Sequence, residues 1–236
     1  MKKSITHAAG ALMMISAGML FLPVTTAHAF VITGQLTGDI RTANPDNLFV
    51  DVTITVNDTT KNTASWVVDI NSPLHSKVKL DEFYFNLAST IAPGNLTFSG
   101  FNPSGWAINY PATVQGAGGT TFQFEALNGA KGNNKIDVTN TQNLTFNMIL
   151  SAGNFTADDF LNAPLAISND AGSGQMGAHL QSLNASPGQS DSGFAFGNYE
   201  AGIGPQQIPE PTTHLLLGLG LLGLLFTRKV VRRSTS

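Results

Sequence analysis

The ten residues from Leu48 to Asn57 constrain the fold of this chain more than any other stretch. Apolar side chains occupy every second position, and the positions between them are mostly polar. The apolar set is Leu48, Val50, Val52, Ile54 and Val56, and the intervening set is Phe49, Asp51, Thr53, Thr55 and Asn57. A period of two sustained over this length indicates a β-strand that is buried on one face.

The same alternation resumes after a polar turn at residues 57–62. The apolar positions are now Ala64, Trp66, Val68 and Ile70. The two stretches therefore predict a β-hairpin. A third strand is predicted over residues 77–87, where the inward positions change phase between Leu80 and Phe83. This change predicts a β-bulge, because a bulge adds one residue to one strand of a pair.

The rest of the body supplies short β-prone runs separated by turns rich in Gly, Asn and Pro. Strands are predicted at residues 96–101, 106–110, 121–127, 135–139 and 143–150. One short helical turn is expected where Thr156 precedes Asp159 and Phe160. About ten short strands of this kind predict an all-β fold, an antiparallel β-sandwich of jelly-roll type. A β-solenoid is the alternative, although the chain lacks the fixed repeat that a solenoid requires.

The larger aromatic residues of the body are expected in the core of this sandwich. They are Trp66, Phe83, Phe85, Phe98, Phe122, Phe124 and Phe146. A surface platform for sugars would use the same residue types and is the alternative. A final strand is predicted from residues 177–183 and 192–194, so the folded domain covers 30–196. The Gly-rich residues 197–207 then predict a flexible linker.

The first 29 residues predict a secretory signal peptide. Two lysines precede an apolar stretch at residues 8–22, and Ala27 and Ala29 are the small residues of a signal-peptidase site. Cleavage after Ala29 and export through the Sec translocon are expected. A retained amino-terminal anchor is the alternative.

The carboxyl end has three parts in a fixed order. A short rigid motif occupies residues 208–213, a mostly apolar segment follows at 214–227, and a basic tail occupies 228–236. The cations of the tail are Arg228, Lys229, Arg232 and Arg233. Because the segment is apolar on all faces, it predicts a transmembrane helix, and its cationic flank is expected to stop translocation and stay cytoplasmic. A buried helix of the folded domain is the alternative, since the run is short for a span.

These three parts resemble the PEP-CTERM sorting domain of biofilm-forming Gram-negative bacteria, a tail also labelled an ice-binding protein C-terminal domain. The resemblance implies processing by exosortase, a membrane-embedded transpeptidase, with Pro209, Glu210 and Pro211 as recognition residues. Ile208 stands where the family commonly has Val, which leaves the order of the parts unchanged. The resemblance assigns no activity to the body, ice binding included.

The body between the two signals is acidic. Residues 30–208 hold six Lys and Arg against fourteen Asp and Glu, a formal charge of −8, whereas the whole chain carries −3. This charge is a poor match for nucleic acid, whose binding depends on neutralising phosphates. The chain has no cysteine, which excludes disulfides and thiolate chemistry.

Few residues of the body are candidates for chemistry. His179 is an available general base, but no serine stands in a Gly-x-Ser-x-Gly setting. Asp158-Asp159 and Glu125 are the acids considered for the carboxylate pair of a sugar hydrolase. Calcium is the more credible ligand, because the loops at 39–46 and 169–170 are rich in oxygen donors. No specific metal site is assigned, and no other cofactor is expected.

We therefore expect an exported, non-catalytic surface or extracellular-matrix protein that is connected with exopolysaccharide or biofilm. Its carboxyl-terminal helix is expected to anchor it transiently in the inner membrane. Cleavage near residues 209–211 would then deliver it to the cell surface or the matrix. A carbohydrate- or calcium-binding module is the first alternative, and a cryptic hydrolase is the second.

Overall fold

The computed structural model describes residues 30–38, 40–41, 44–113, 119–129, 137–168 and 171–203. The predicted signal peptide with Ala27 and Ala29 lies outside these ranges. The predicted motif, membrane helix and basic tail at residues 208–236 also lie outside them. Within the part of the chain that is described, no helix has the length and apolar character needed to cross a membrane.

The described ranges fold into fifteen β-strands with very little helix, which confirms the all-β prediction. In chain order the strands are β1 (Phe30–Thr37), β2 (Phe49–Val56), β3 (Thr63–Ile70), β4 (Lys79–Phe85), β5 (Leu96–Asn102), β6 (Trp106–Asn109), β7 (Ala112–Thr113), β8 (Thr121–Phe122), β9 (Phe124–Asn128), β10 (Leu144–Leu150), β11 (Ala166–Ile167), β12 (Ser173–Gly174), β13 (Met176–Gln181), β14 (Ser192–Gly197) and β15 (Glu200–Ala201). A single helical turn, α1, covers Asp158–Leu161 of the described chain. Short 3-10 turns cover Asp58–Thr60 and Pro93–Asn95.

Ten strands form one antiparallel sheet in the order β5-β10-β3-β2-β1-β14-β13-β4-β9-β6. Strands β5 and β6 stand at opposite ends of this order yet follow one another in the chain. The sheet therefore rolls up and is nearly barrel-shaped. We call β5, β10, β3, β2 and β1 the β2 half, and β14, β13, β4, β9 and β6 the β4 half. The predicted separation into two sheets is corrected, because β1 pairs with β14 through Thr37 and Phe196 as well as with β2.

The β2–β3 hairpin follows the alternation in the sequence. Burial alternates residue by residue along both strands, and each inward side chain is almost fully shielded from solvent. The register places Val52 opposite Val68 and Ile54 opposite Trp66, so inward residues face inward residues across the ladder. One face of this hairpin is therefore core and the other is polar, as a period of two requires.

The phase change predicted in the third strand is present as a β-bulge in β4. The ladder from β4 to β13 changes register next to the Glu82–His179 pair, which leaves Asp81 as the extra residue. Leu80 and Phe83 are both buried in the core. The two acidic residues between them therefore lie side by side on the outer face of the sheet.

The core lies between the two halves, with Trp66 at its centre. The Trp66 ring stacks on Phe146 of the neighbouring strand, with 5.4 Å between ring centroids. Across the interior it packs against Phe85 of β4 at 4.7 Å. Most of the aromatic residues predicted for the core are in this cluster, and Phe98 is partly buried against it. These side chains are therefore not available as a sugar-binding surface.

A second hydrophobic cluster lies on the outer face of the β4 half, where a sandwich would normally be polar. This outer cluster consists of Tyr84, Phe122, Ala166, Ala171, Phe194 and Phe196. Gly177 of β13 permits its packing, because a Cβ at that position would stand 3.1 Å from Cζ of Phe122. The short strands β8 and β11 contribute residues that cover the sheet here, so part of the β4 half is buried on both faces.

Strands β13 and β14 form a hairpin in the middle of the sheet, between β4 and β1. The chain continues along the sheet after β14. Tyr199 is buried and its hydroxyl donates to the carbonyl oxygen of Asn86 at 2.9 Å. Ala201 pairs with Ile32 of β1, and the next amide donates to Val31. Residues 197–202, which the composition assigns to a flexible linker, are therefore fastened to the domain, whereas 204–207 lie outside the described ranges.

Candidate functional site

The bulge in β4 creates a group of titratable side chains on the outer face of the β4 half. We call Asp81, Glu82, Tyr84, Glu125 and His179 the bulge cluster. Strand β4 contributes the first three, and the neighbouring strands β9 and β13 contribute Glu125 and His179. Two of these residues, His179 and Glu125, are candidates from the sequence, and the structure brings them to one surface.

His179 faces the two acidic residues of the bulge. Its Nδ1 lies 3.2 Å from Oδ2 of Asp81 and 3.5 Å from Oε2 of Glu82. The side chains of His179, Asp81 and Glu82 keep 17%, 25% and 29% of their exposure, so the group is shielded but open to solvent. One ligand-type atom from each residue lies within 4.8 Å of the other two, which is close enough to hold a metal ion.

Neighbouring side chains fix the orientation of these groups. The His179 ring stacks on Phe194, with ring centroids 4.6 Å apart and planes within 13°. The guanidinium of Arg41 also lies over the Phe194 ring, 5.4 Å from its centroid, which is a cation–π distance. The amide of Gln181 donates to Oδ2 of Asp81 at 2.8 Å. The histidine and the aspartate are thus each held by a second contact.

Tyr84 connects Glu82 to Glu125. Its hydroxyl donates to Oε2 of Glu82, and Tyr84 lies opposite Glu125 in the β4–β9 ladder. Burial raises the pKa of the Tyr84 phenol, and the hydrogen bonds and negative charges of Glu82 and Glu125 raise this pKa further. The phenol therefore remains a proton donor to the acids around it at neutral pH.

The surroundings of Glu125 shift the pKa of its carboxyl. Burial raises the pKa of the Glu125 carboxyl, and the negative charge of Glu82 raises it further. Hydrogen bonds with Tyr84 and Asn109 act in the opposite direction and lower this pKa. The pKa of the Glu125 carboxyl therefore lies above its ordinary value, and burial is the main cause.

The other histidine of the body has a structural position. His75 is 4% exposed, and its Nε2 lies 2.8 Å from the carbonyl oxygen of Asp46. Its Nδ1 accepts a hydrogen bond from the backbone N–H of Asn184 at 3.1 Å. With both ring nitrogens bonded to the backbone of separate loops, His75 joins those loops together.

Asp159 also serves the fold. Its Oδ2 accepts from the backbone N–H of Thr156 at 2.7 Å and from the Thr156 hydroxyl at 3.0 Å. This closes the turn that becomes α1, where the sequence predicted a short helical turn. The hydrogen bond from the backbone N–H of Thr156 to the Asp159 carboxylate is the reverse bond of a capping box.

A shallow polar groove on the outer face of the β2 half is the other concave surface of note. It has a volume of about 270 Å³ and lies over β1 and β2, with Gln35, Asp51 and Glu200 among its walls. No aromatic side chain lines it. The predicted calcium loops are only partly described, since residues 39, 42–43 and 169–170 lie outside the described ranges. Calcium binding there remains a prediction.

The bulge cluster was only partly visible in the sequence. The phase change between Leu80 and Phe83 implies that both residues between them share one face, and those residues are Asp81 and Glu82. Neither acid is among the residues predicted from the sequence, although this signal was sufficient to find them as a pair of carboxylates. The position of His179 opposite them depends on the pairing of β4 with β13, which sequence spacing does not reveal.

The fold and this cluster define the body as an antiparallel β-domain with a shielded group of acids and one histidine on its outer face. A comparison with protein families identifies the PEP-CTERM protein-sorting motif at residues 207–233 of the same chain. The matched segment contains Pro209, Glu210 and Pro211 together with all four cations of the tail. This motif indicates a protein that exosortase sorts to the cell surface. Comparisons with curated proteins and with solved structures find no match.

Proposed function

We propose that this chain is an exported, non-catalytic surface or extracellular-matrix protein that is associated with exopolysaccharide. The observation that carries the proposal is the sorting motif at residues 207–233. The signal peptide directs the chain to the Sec translocon, and the carboxyl-terminal helix holds it transiently in the inner membrane. Exosortase then cleaves near Pro209–Pro211 and releases the β-domain to the surface or the matrix.

The position of the two ends of the domain supports this route. Strand β1 begins at Phe30, directly after the proposed signal-peptidase site, and its residue Ile32 pairs with Ala201 of β15. Both ends of the described domain thus lie close together, at the end of β1 where that strand begins. On the proposed route, the tail would hold the domain to the membrane at the end that contains both termini. The opposite end of the domain would face away from the membrane.

The contacts of His179 define what the hydrolase alternative would still need. A histidine that activates a nucleophile needs the nucleophile within hydrogen-bond distance. Nδ1 of His179 faces the carboxylates of Asp81 and Glu82, so Nε2 is the ring nitrogen that would have to act on a nucleophile. A carbohydrate-binding module remains the alternative, and the polar groove over β1 and β2 is where such binding would be sought. A cryptic hydrolase has less support, because Asp159 is engaged in a turn.

Sorting is tested by mass spectrometry of the protein from a producing strain. We expect the surface form to lack the basic tail, and we expect an exosortase deletion to keep the intact chain in the inner membrane. Glu210→Ala should reproduce the deletion, whereas Pro205→Ala, which lies outside the motif, should be processed normally. A surface form that still ends at Ser236 would contradict the proposal.

The matrix association needs a separate measurement. We expect the processed protein to fractionate with exopolysaccharide and to be released into the medium by a strain that makes none. Enzymatic assays on polysaccharide substrates should show no hydrolysis above that of a His179→Gln variant. Hydrolysis that disappears in this variant would support the hydrolase alternative instead.

A further inference from the structure

We propose that Asp81, Glu82 and His179 form a binding site for a divalent transition-metal ion, with zinc as the best fit. This inference goes beyond sorting and does not depend on it. The site joins two strands, since the acids come from β4 and the histidine comes from β13.

The spacing of the three ligand atoms matches a metal site. With zinc bonds of about 2.0–2.2 Å, tetrahedral geometry separates neighbouring ligand atoms by about 3.3–3.6 Å. Nδ1 of His179 lies 3.2 Å from Oδ2 of Asp81 and 3.5 Å from Oε2 of Glu82. All three atoms lie within 4.8 Å of one another. Small side-chain adjustments would therefore suffice to bring them around one ion.

The ligand types distinguish between classes of metal. Calcium and magnesium take oxygen ligands almost exclusively, and an imidazole nitrogen is foreign to their sites. Imidazole with carboxylates suits zinc and its first-row neighbours. The presence of His179 between two acids therefore favours a transition metal over the calcium that an acidic surface alone would attract.

The surrounding contacts resemble the outer shell of a metal site. Gln181 donates to the same Oδ2 of Asp81 that faces the histidine, at 2.8 Å. Tyr84 donates to the same Oε2 of Glu82. Phe194 holds the plane of the imidazole by stacking. Groups of this kind orient ligands before the metal arrives and contribute to its affinity.

The charge of the surface favours a cation as well. Glu125 lies near the site without being one of the three ligands, opposite Tyr84 in the β4–β9 ladder. A bound cation would compensate the negative charge of the acids in the bulge cluster. Three protein ligands also leave a coordination position for water or an outside ligand.

The test is a titration of the untagged full chain in detergent, stripped of metal with a chelator, with Zn²⁺ by calorimetry and Co²⁺ by visible absorption. We expect one ion to bind, and we expect His179→Gln to weaken Zn²⁺ binding at least tenfold and to remove the Co²⁺ bands. Asp69→Asn is the matched control, because Asp69 lies opposite Asp51 in a carboxylate pair without histidine on the β2 half. This variant should bind both metals as the unmodified protein does.

Two results would overturn the proposal. One is Zn²⁺ affinity that is the same in His179→Gln and in the unmodified protein. The other is Ca²⁺ displacing Zn²⁺ at equal concentration, which would indicate a diffuse acidic patch. If near-ultraviolet circular dichroism shows that His179→Gln is not folded, Asp81→Asn supplies the same comparison.

Discussion

The two halves of the sheet differ in the burial pattern of their strands. In the β2 half, burial alternates along β2, β3 and β10, so one face is core and the other is polar. In the β4 half, β4 and β14 contain runs of consecutive buried residues, and the outer cluster covers their second face. The same chain thus contains a half with one buried face and a half whose second face is buried in part.

The bulge at Asp81 shapes the outer face of the β4 half. The bulge at Asp81 changes the phase of β4, so two acids stand together on the outer face beside the aromatic cover. Shielding by that cover shifts the pKa values of Tyr84 and Glu125. The bulge therefore gives the β4 half a group of titratable side chains beside its aromatic cover.

The largest effect is expected in the core that both halves share. Trp66→Ala removes the ring that contacts both halves, so we expect a loss of about 4 kcal/mol in the free energy of unfolding. Urea unfolding followed by circular dichroism measures this loss. Thr53→Ala, at a half-buried outward position on the neighbouring β2, should change stability by less than about 1 kcal/mol. Equal losses for the two variants would contradict the placement of the core.

The outer cluster should contribute less than the core. Phe122 is 1% exposed and stacks near Tyr84 at 5.5 Å, but its cluster contains six residues and lies at the surface. We expect Phe122→Ala to lower the free energy of unfolding by about 2–3 kcal/mol, because a thin surface layer can partly collapse into the space. The same urea experiment measures it. A loss as large as that of Trp66→Ala would show that the outer face is a second full core.

The hydrogen bonds of Tyr84 should have a smaller effect on stability. Tyr84→Phe keeps the ring in the outer cluster and removes the donor to Glu82, so we expect a loss of about 1–2 kcal/mol. The variant should also raise the pKa of Glu125, because the Tyr84 hydrogen bond lowers this pKa. Titration of Glu125 by NMR checks the second result. A pKa of Glu125 that is unchanged or lower would contradict this arrangement.

The smallest effect concerns the pH dependence of stability, and it compares one acid from each half. The pKa of Glu125 is raised from 4.5, by burial and Glu82, and that of Asp69 is raised from 3.8, by burial and Asp51. Each group binds its proton more tightly in the folded state. The contribution of each carboxyl to the free energy of unfolding is therefore fully present below its ordinary pKa. This contribution is lost as the pH rises through the raised pKa.

The substitutions Glu125→Gln and Asp69→Asn should each remove one part of this loss. We expect both variants to gain stability relative to the unmodified protein above these windows, as measured by urea unfolding at a series of pH values. Because Tyr84→Phe should raise the pKa of Glu125, it should increase the pH dependence of the free energy of unfolding. Adding Glu125→Gln to Tyr84→Phe should remove this increase. If the stability of the variants changed with pH in parallel with that of the unmodified protein, the pKa values of Glu125 and Asp69 would be the same in the folded and unfolded states.

Local pattern was sufficient for much of the fold. The β2–β3 hairpin and the bulge follow from residues that are neighbours in sequence, and the predicted core position of Trp66 is confirmed. The sequence did not separate one rolled sheet from two layers, because both leave the same alternation along each strand. The ladder between β1 and β14, which decides this, joins residues far apart in the chain.

The outer face was harder to predict. Tyr84 stands between two core residues of β4, so a polar outward neighbour is the ordinary expectation for it. Its burial depends on Phe122, which stacks on it, and on Phe196, which packs against Phe122, and both come from other parts of the chain. His179 was visible as a histidine, but its partners were set by the register of β13 against β4. Chemistry that depends on such pairings is not encoded in any single stretch.

The order of the strands would have a consequence for export that begins at the amino end. β13 and β14 are synthesised late, yet they occupy the middle of the sheet and join β1 to β4. Until they emerge, the edges of β1 and β4 have no neighbour on that side, so the sheet stays open. Completion of the domain thus waits for nearly the last residue ahead of the tail, and a pause at the membrane would give the final hairpin time to insert.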